Sequence, residues 1–343
     1  MLKSFMPNPL VSILIPVYLV ENYIERCARS VFEQTYDNIE YVFVDDASPD
    51  NSISILERVL CEYPERKKHS IIIRHTKNRG LAATRNCAVQ ACKGKFIFHV
   101  DSDDWVESEA VSLLVKKQQE TEADIVSGEA IDHKAGKEIP HKNSGWNLDK
   151  ERLLVSVLTY RVSSSLWRRL IRKSLYTDHG IVANEAGSGG EDYQVFPRLI
   201  YYANKVSGID KYIYHYNINN NTSLTNNIQA NIDIQRQGYV SVSVISNFFS
   251  DKEQYLQNLI RGSKVKHIHL RMIQNTSWKN KKGYLYFRNL LQTTDKENWH
   301  YVGWNNPIKR YIENQYTLLV FISPVRFVYR KSKRLIYKLL KSK

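Results

Sequence analysis

The chain is predicted to be an α/β protein, with a mostly parallel sheet covered by helices and a helical C-terminal region. Three observations carry this reading. Short β-branched apolar runs alternate with stretches of helical spacing through the first third of the sequence. The runs are apolar along most of their length, as strands buried on both faces must be. Acidic and polar residues collect at the carboxyl ends of these runs, where open sheets of this kind bind ligands.

The elements follow in order. Val11–Val17 is the first strand, and Glu21 to Gln34 has helical spacing. Ile39–Val44 is the second strand, with a helix from Asn51 to about Tyr63. Ser70–His75 is the third, followed by a helix over Gly80–Cys92. Phe96–Val100 is the fourth, and Glu107–Thr121 returns to helix. Beyond Ala123 the pattern is mixed. A strand at Asp124–Gly128 precedes a helix near Asp149–Tyr160 and the segment Ser163–Arg169. The Gly-rich stretch Gly187-Ser188-Gly189-Gly190 then leads into Glu191-Asp192 and a helix reaching Tyr202. A strand at Tyr212–Tyr216 and a loop of asparagines close this part, and from about Asn226 the sequence reads as helices. These breaks divide the chain into 1–105, 106–225 and 226–343.

Composition narrows the classes of function. The 343 residues are 43% apolar and 24% charged, which excludes a disordered or collagen-like chain. A net charge of +14 calls for an acidic partner: nucleic acid, anionic lipid or a phosphorylated substrate. Cys27, Cys61, Cys87 and Cys92 show no zinc-ligand spacing, and reduced thiols in a cytosolic enzyme are expected. The apolar run Leu10–Val17 is interrupted by Pro16 and no small-residue cleavage site follows it, so no signal peptide is predicted. No apolar run approaches the roughly 20 residues that a membrane span requires.

Three polar clusters stand on one sheet edge: Asp45-Asp46-Ala47-Ser48, Asn78-Arg79-Gly80 and Asp101-Ser102-Asp103-Asp104-Trp105. Alternation along a strand lets Asp101 and Asp103 face the same way. Two carboxylates on one side suit Mg²⁺ or Mn²⁺, which also takes phosphate oxygens and neutralises a phosphate leaving group. The same residues also read as an acidic cap before the helix from Glu107. Asp45-Asp46 reads either as a base-contacting pair or as an Asx turn with Ser48 as cap. Asp192 reads as a general base presented by a flexible glycine loop, or as an acidic N-cap. His215 reads as a metal ligand or as a strand histidine among tyrosines. Trp167 reads as a sugar-stacking face or as core.

Pro16-Val17-Tyr18, Val44-Asp45-Asp46-Ala47-Ser48, Asn78-Arg79-Gly80 with Thr84-Arg85-Asn86, and Asp101-Ser102-Asp103-Asp104-Trp105 stand in a specific order and spacing. With Trp167-Arg168-Arg169-Leu170 and Gly190-Glu191-Asp192, they make residues 10 to 225 resemble the family 2 inverting glycosyltransferases. The resemblance implies a GT-A fold, a nucleotide-sugar donor such as a UDP-sugar, and Mn²⁺ or Mg²⁺. It also implies a carbohydrate or lipid-linked acceptor in bacterial polysaccharide synthesis. It places Pro16 and Tyr18 near the uracil, with Asp46 on the base N–H and Arg85 holding the nucleotide. It puts Asp101 on the ribose or metal, Asp103 as principal metal ligand and Asp192 as general base. Residues 1–105 would then bind the donor and 106–225 the acceptor. The chain departs from the family pattern twice: Leu19 stands where Asn is usual, and Asn217–Thr225 replaces an Arg-rich loop. The absence of a Gln-x-x-Arg-Trp segment predicts transfer of a single sugar.

Two rival classes are weaker. A nucleotidyltransferase wants a Gly-rich phosphate loop after the first strand, and Pro16-Val17-Tyr18-Leu19 offers none. A nucleic-acid-binding protein is suggested by charge alone, and the basic residues concentrate in the tail instead of interleaving with aromatics on a strand face. That tail, Arg326 to Lys343, holds eight Lys or Arg and no acid, with Val328, Leu335, Ile336, Leu339 and Leu340 at helical spacing. It is read as an amphipathic helix on an anionic membrane or as a helix packed on the catalytic domain.

Overall fold

The computed structural model describes residues 8–141, 144–186, 189–220, 232–274 and 281–302, together with residue 314. Four strands, β1 (Val11–Val17), β2 (Ile39–Asp45), β3 (Ser70–Arg74) and β4 (Phe96–His99), run parallel in the order β3-β2-β1-β4. Their crossovers are α1 (Ile24–Phe32), α2 (Ser52–Glu62) with the short α3 (Pro64–Lys67), and α4 (Leu81–Ala91). Pro16 lacks the amide that a central strand needs, yet it is tolerated. Its pairing with β4 has already ended at Leu14 opposite His99, so no β4 partner is lost.

The sheet continues beyond β4 as a mixed half. β8 (Arg169–Arg172) runs antiparallel to β4, then come β6 (Ile125–Lys134), β9 (Val206–Asn217) and the two-residue β5 (Trp105–Val106). β7 (Lys137–His141) folds back along the second half of β6. Helices α5 (Ala110–Thr121), α6 (Lys150–Leu158), α7 (Ser174–Thr177) and α8 (Glu191–Tyr202) cover this half. α9 (Ile232–Phe248), α10 (Gln254–Gln274) and α11 (Lys281–Gln292) follow, with a 3-10 turn at Lys296–Val302.

Alternation along the strands builds two cores, one on each face. Ile13, Ile15, Phe43 and Phe98 pack with Val31, Leu56 and Leu114, while Leu14, Val42 and Ile97 pack with Ala88, Val157 and Phe196. A third cluster, Ile268, Tyr284, Phe287 and Trp299, belongs to α10, α11 and the turn after them. Helices from about Asn226 were expected and are present where described. The tail 326–343 lies outside the described residues.

The predicted first helix begins three residues later than its spacing suggests, at Ile24. The backbone N–H groups of Leu19, Val20 and Glu21 are satisfied instead by Ser48 Oγ, Ser52 Oγ and Asp50 Oδ2, at 2.8, 3.0 and 3.0 Å. β9 starts six residues before the predicted Tyr212, because Asp210 and Lys211 interrupt its apolar pattern. β5, β7 and β8 carry too few residues for a period to show.

Candidate active site

The carboxyl ends of β1 and β2 are stapled to each other through the three bonds just given, and Glu21 returns a bond by accepting from Asn51. This leaves Pro16 half-buried in β1 and Tyr18 41% exposed at the rim. Leu19 is forced to φ +54°, a left-handed conformation that Asn tolerates and a γ-branched apolar residue does not favour. The departure from the family pattern therefore falls at a strained position. Asp45 forms the Asx-type turn, accepting from Ser48 N at 2.8 Å.

Asp46 is buried and fully engaged. Its Oδ1 accepts from Arg79 N at 2.8 Å and lies 2.7 Å from His75 Nδ1, and its Oδ2 accepts from Gly80 N at 2.8 Å. The carboxylate thus locks the end of β2 to the turn before α4, where Gly80 adopts φ +86°. Its oxygens already hold three groups of the chain itself.

Arg85, 5% exposed on α4, is the hub of the site. Nη1 donates to Glu191 Oε1 at 2.6 Å and to Asp192 Oδ1 at 2.5 Å, while Nη2 donates to Asp101 Oδ1 at 2.7 Å. A buried guanidinium needs such partners to stay charged. Burial pushes the Asp192 carboxyl up to about 7; Arg85 opposes this, and Glu191 and Asp101 add to it. Asp192 is presented by Gly190, which has φ +77° and meets α9 so closely that a Cβ there would lie 2.8 Å from Ser241 Oγ. Spacing alone did not single out Glu191 as a partner of Arg85, because the two lie 106 residues apart.

The turn after β4 is an acidic well. Asp104 is fully buried, accepting from Tyr214 Oη and Asn217 N at 2.7 Å each. Asp103 is half-buried and its Oδ2 accepts from Asn220 Nδ2 at 2.8 Å. Burial, then the charge of Asp101, pushes the Asp103 carboxyl up to about 6, against the Asn220 bond. Among the described residues no group of three or more His, Cys, Asp or Glu converges as a metal cage. β4 ends at His99, so Asp101 and Asp103 stand in the turn after it, and the strand alternation expected to set their facing does not do so. The two acids, Asp101 also accepting from Arg85, still suit Mg²⁺ or Mn²⁺, which takes one or two carboxylates and completes its shell with water and substrate phosphates. The asparagines that replace the Arg-rich loop have a local function, since Asn217 and Asn220 hold the turn that carries Asp103. The asparagine run itself was the signal that sequence reasoning had to hand.

His215 is a packed strand histidine. It stacks on Trp105 at 4.9 Å, and its ring nitrogens meet His133 at 2.9 Å and Glu107 at 2.8 Å. Trp167 is buried against Tyr214 and Tyr216, at 4.6 and 5.3 Å. Arg169 beside it holds the carbonyls of Ser144 and Ser163, at 3.1 and 3.0 Å. Among the described residues no helix is long and apolar enough to cross a membrane.

Residues 12–179 match the model of Glycosyl transferase family 2. The chain is 33% identical over 218 residues to EpsH of Bacillus subtilis, covering 62% of either chain. It is 32% identical over 219 residues to the glycosyltransferase GlyA of Streptococcus pneumoniae, covering 61% of this chain and 30% of GlyA. The chain therefore spans three-fifths of the one relative and under a third of the other. In structure it is similar to Staphylococcus aureus TarS 1–349 in complex with UDP-GlcNAc, with TM-score 0.57 and 18% identity. That likeness covers 83% of this chain and 91% of the other. It is also similar to a Pyrobaculum calidifontis mannosyltransferase in complex with GDP-Man and Mn²⁺, with TM-score 0.53 and 12% identity over 91% and 85% of the two chains. The expected GT-A fold is the one found.

Proposed function

We propose that the chain, whose residues 12–179 match the model of Glycosyl transferase family 2, is an inverting glycosyltransferase that moves one hexosyl unit from a nucleotide-sugar to a carbohydrate or lipid-linked acceptor. The observation that carries this reading is the Arg85 hub, which joins Asp101 at the end of β4 to Asp192 at the start of α8. One buried cation thereby sets the spacing between a carboxylate for the donor and a carboxylate for the acceptor.

The nucleotide lies along the carboxyl ends of β1, β2 and β4, in the half formed by residues 1–105. Tyr18 and Pro16 flank the base, and Asp46 shapes the base pocket through the Arg79-Gly80 turn. Arg85 and Asp101 orient the ribose and diphosphate. Asp103, with Asp101, would hold Mn²⁺ or Mg²⁺, which when bound supplies positive charge against the leaving diphosphate. Residues 106–225 receive the acceptor, whose attacking hydroxyl gives its proton to Asp192. Its oxygen bonds to the anomeric carbon as the bond to the diphosphate breaks on the opposite side, which inverts that centre. Likeness to a fold solved with UDP-GlcNAc supports a UDP-sugar as donor. The basic tail supports attachment to an anionic membrane surface, where a lipid-linked acceptor is found.

The test is a screen of nucleotide-sugars for Mn²⁺-stimulated release of nucleoside diphosphate, followed by NMR of the product. An inverted anomeric centre with one sugar added is expected. A retained configuration, or a long polymer from a single donor, excludes the proposal.

A further inference from the structure

We infer that Tyr214 and Asn220 are positioning residues for the divalent cation, holding the turn that carries Asp101 and Asp103 without touching the ion. Their role rests on Asp101 and Asp103 being the metal's carboxylates, as proposed.

Residues 101–104 form a tight turn, closed by Asp104 N donating to Asp101 O at 3.0 Å. A bond within the turn sets its shape but not its tilt against the sheet. Tyr214 Oη sets the tilt. It accepts from Asp101 N at 3.0 Å and donates to Asp104 Oδ2 at 2.7 Å, so one hydroxyl holds the first and last residues of the turn. Asp103 stands between these two anchors, and Asn220 Nδ2 donates to its Oδ2 at 2.8 Å.

The hydroxyl is itself held in place. Tyr214 is fully buried on β9, and its ring stacks on Trp167 at 4.6 Å with 20° between the planes. The chain leaving the turn pairs with the same strand, Trp105 opposite His215 and Val106 opposite Tyr214. One strand therefore fixes both ends of the turn.

Asp104 shows what the arrangement serves. A buried carboxylate is costly, and apolar residues often pack in its place at no loss of stability. The hydrogen bonds that hold it come from neutral donors, Tyr214 Oη on one oxygen and Asn217 N on the other. Both oxygens are engaged by β9, so Asp104 anchors the turn and leaves the ion to Asp101 and Asp103. Groups that orient metal-binding side chains carry much of a site's affinity, and losing one costs about 10–100-fold.

Tyr214→Phe removes one oxygen and no charge, so a change in cation affinity would not come from lost attraction. Tyr36→Phe is its control. That hydroxyl is also buried, and it donates to Pro9 O at 2.6 Å at the amino ends of β1 and β2, away from the site. Mn²⁺ titrations of the full chain, without donor or acceptor, are followed by electron paramagnetic resonance. Tyr214→Phe should raise the Mn²⁺ Kd about 10–100-fold, and Tyr36→Phe should leave it unchanged. Asn220→Ala, which also removes no charge, should raise it severalfold. Thermal unfolding of the metal-free proteins shows which variants fold, and if Tyr214→Phe does not, Asn220→Ala decides. A folded variant of either residue that binds Mn²⁺ as tightly as the wild type overturns its role. An equal loss in Tyr36→Phe overturns both, because the effect is then one of general stability. Equal binding by the wild type and Asp103→Ala overturns the metal reading itself, and the positioning role with it.

Discussion

Asp101 and Asp192 share one cation: Arg85 Nη2 donates to the first at 2.7 Å and Nη1 to the second at 2.5 Å. The carboxylates come from segments 91 residues apart (192 − 101) and meet only because α4 lies between the end of β4 and the start of α8. Glu191 gives the same guanidinium a third negative partner; burial raises the Asp192 carboxyl, Arg85 opposes the rise, and the charge of Glu191 adds to it.

A general base must be ionised, and burial holds the Asp192 carboxyl up at about 7. The rate should therefore fall as pH drops through about 7. Glu191→Gln removes a neighbouring negative charge, so the acidic limb should move to lower pH. Asp192→Asn should keep UDP binding and cut kcat about 10²–10⁴-fold. Rate measurements from pH 5 to 9 check all three, and an unmoved limb in Glu191→Gln contradicts the account.

For Asp103 the expected signature is metal dependence with a pH component. EDTA should abolish transfer, and Asp103→Ala should do so irreversibly, because the leaving diphosphate loses its counter-ion. The carboxyl is pushed up to about 6, so protons should compete with Mn²⁺ as pH falls through that value. Mn²⁺ binding followed by electron paramagnetic resonance reads this directly.

Leu19 carries its strain in the backbone, at φ +54°. Leu19→Asn should stabilise the fold by about 1 kcal/mol, the scale of the left-handed penalty for an ordinary residue. A rise in the urea midpoint with unchanged m-value is the expected result, while a fall shows that the exposed leucine is held by packing.

Removing the Asp46 carboxylate leaves two backbone donors and a histidine without their acceptor. Asp46→Ala should destabilise by about 2–4 kcal/mol, since each buried group left unsatisfied costs on the order of 1–3 kcal/mol. Asp46→Asn should be milder. Equilibrium unfolding separates this loss from any change in nucleotide affinity.

The tail is tested by vesicles. Full-length protein should bind anionic vesicles and release as salt rises, because surface charges are screened within about 10 Å at 0.1 M. Removing residues 326–343 should abolish binding and spare activity on a soluble acceptor. Equal binding to neutral vesicles counts against the electrostatic account.

The parallel half of the fold was legible in the sequence because each of its strands is a whole apolar run between helices of clear period. Val11–Val17 was read with the bounds it has in the structure, and Ile39–Val44 falls one residue short. The acidic motifs were legible too, since Asp101, Asp103 and Asp192 stand at strand or helix ends where local chemistry marks them. The partners that tune them were not. Arg85 finds Glu191 across 106 residues, Asn220 finds Asp103 across 117, and Asp46 turns its oxygens toward the next loop of the chain. A sequence lists donors and acceptors in order along one dimension, and local spacing can pair only neighbours. The pairing of distant charges is decided by how the sheet curls and which helices it brings together, because a buried carboxylate must take whatever donor the packing places within about 3 Å.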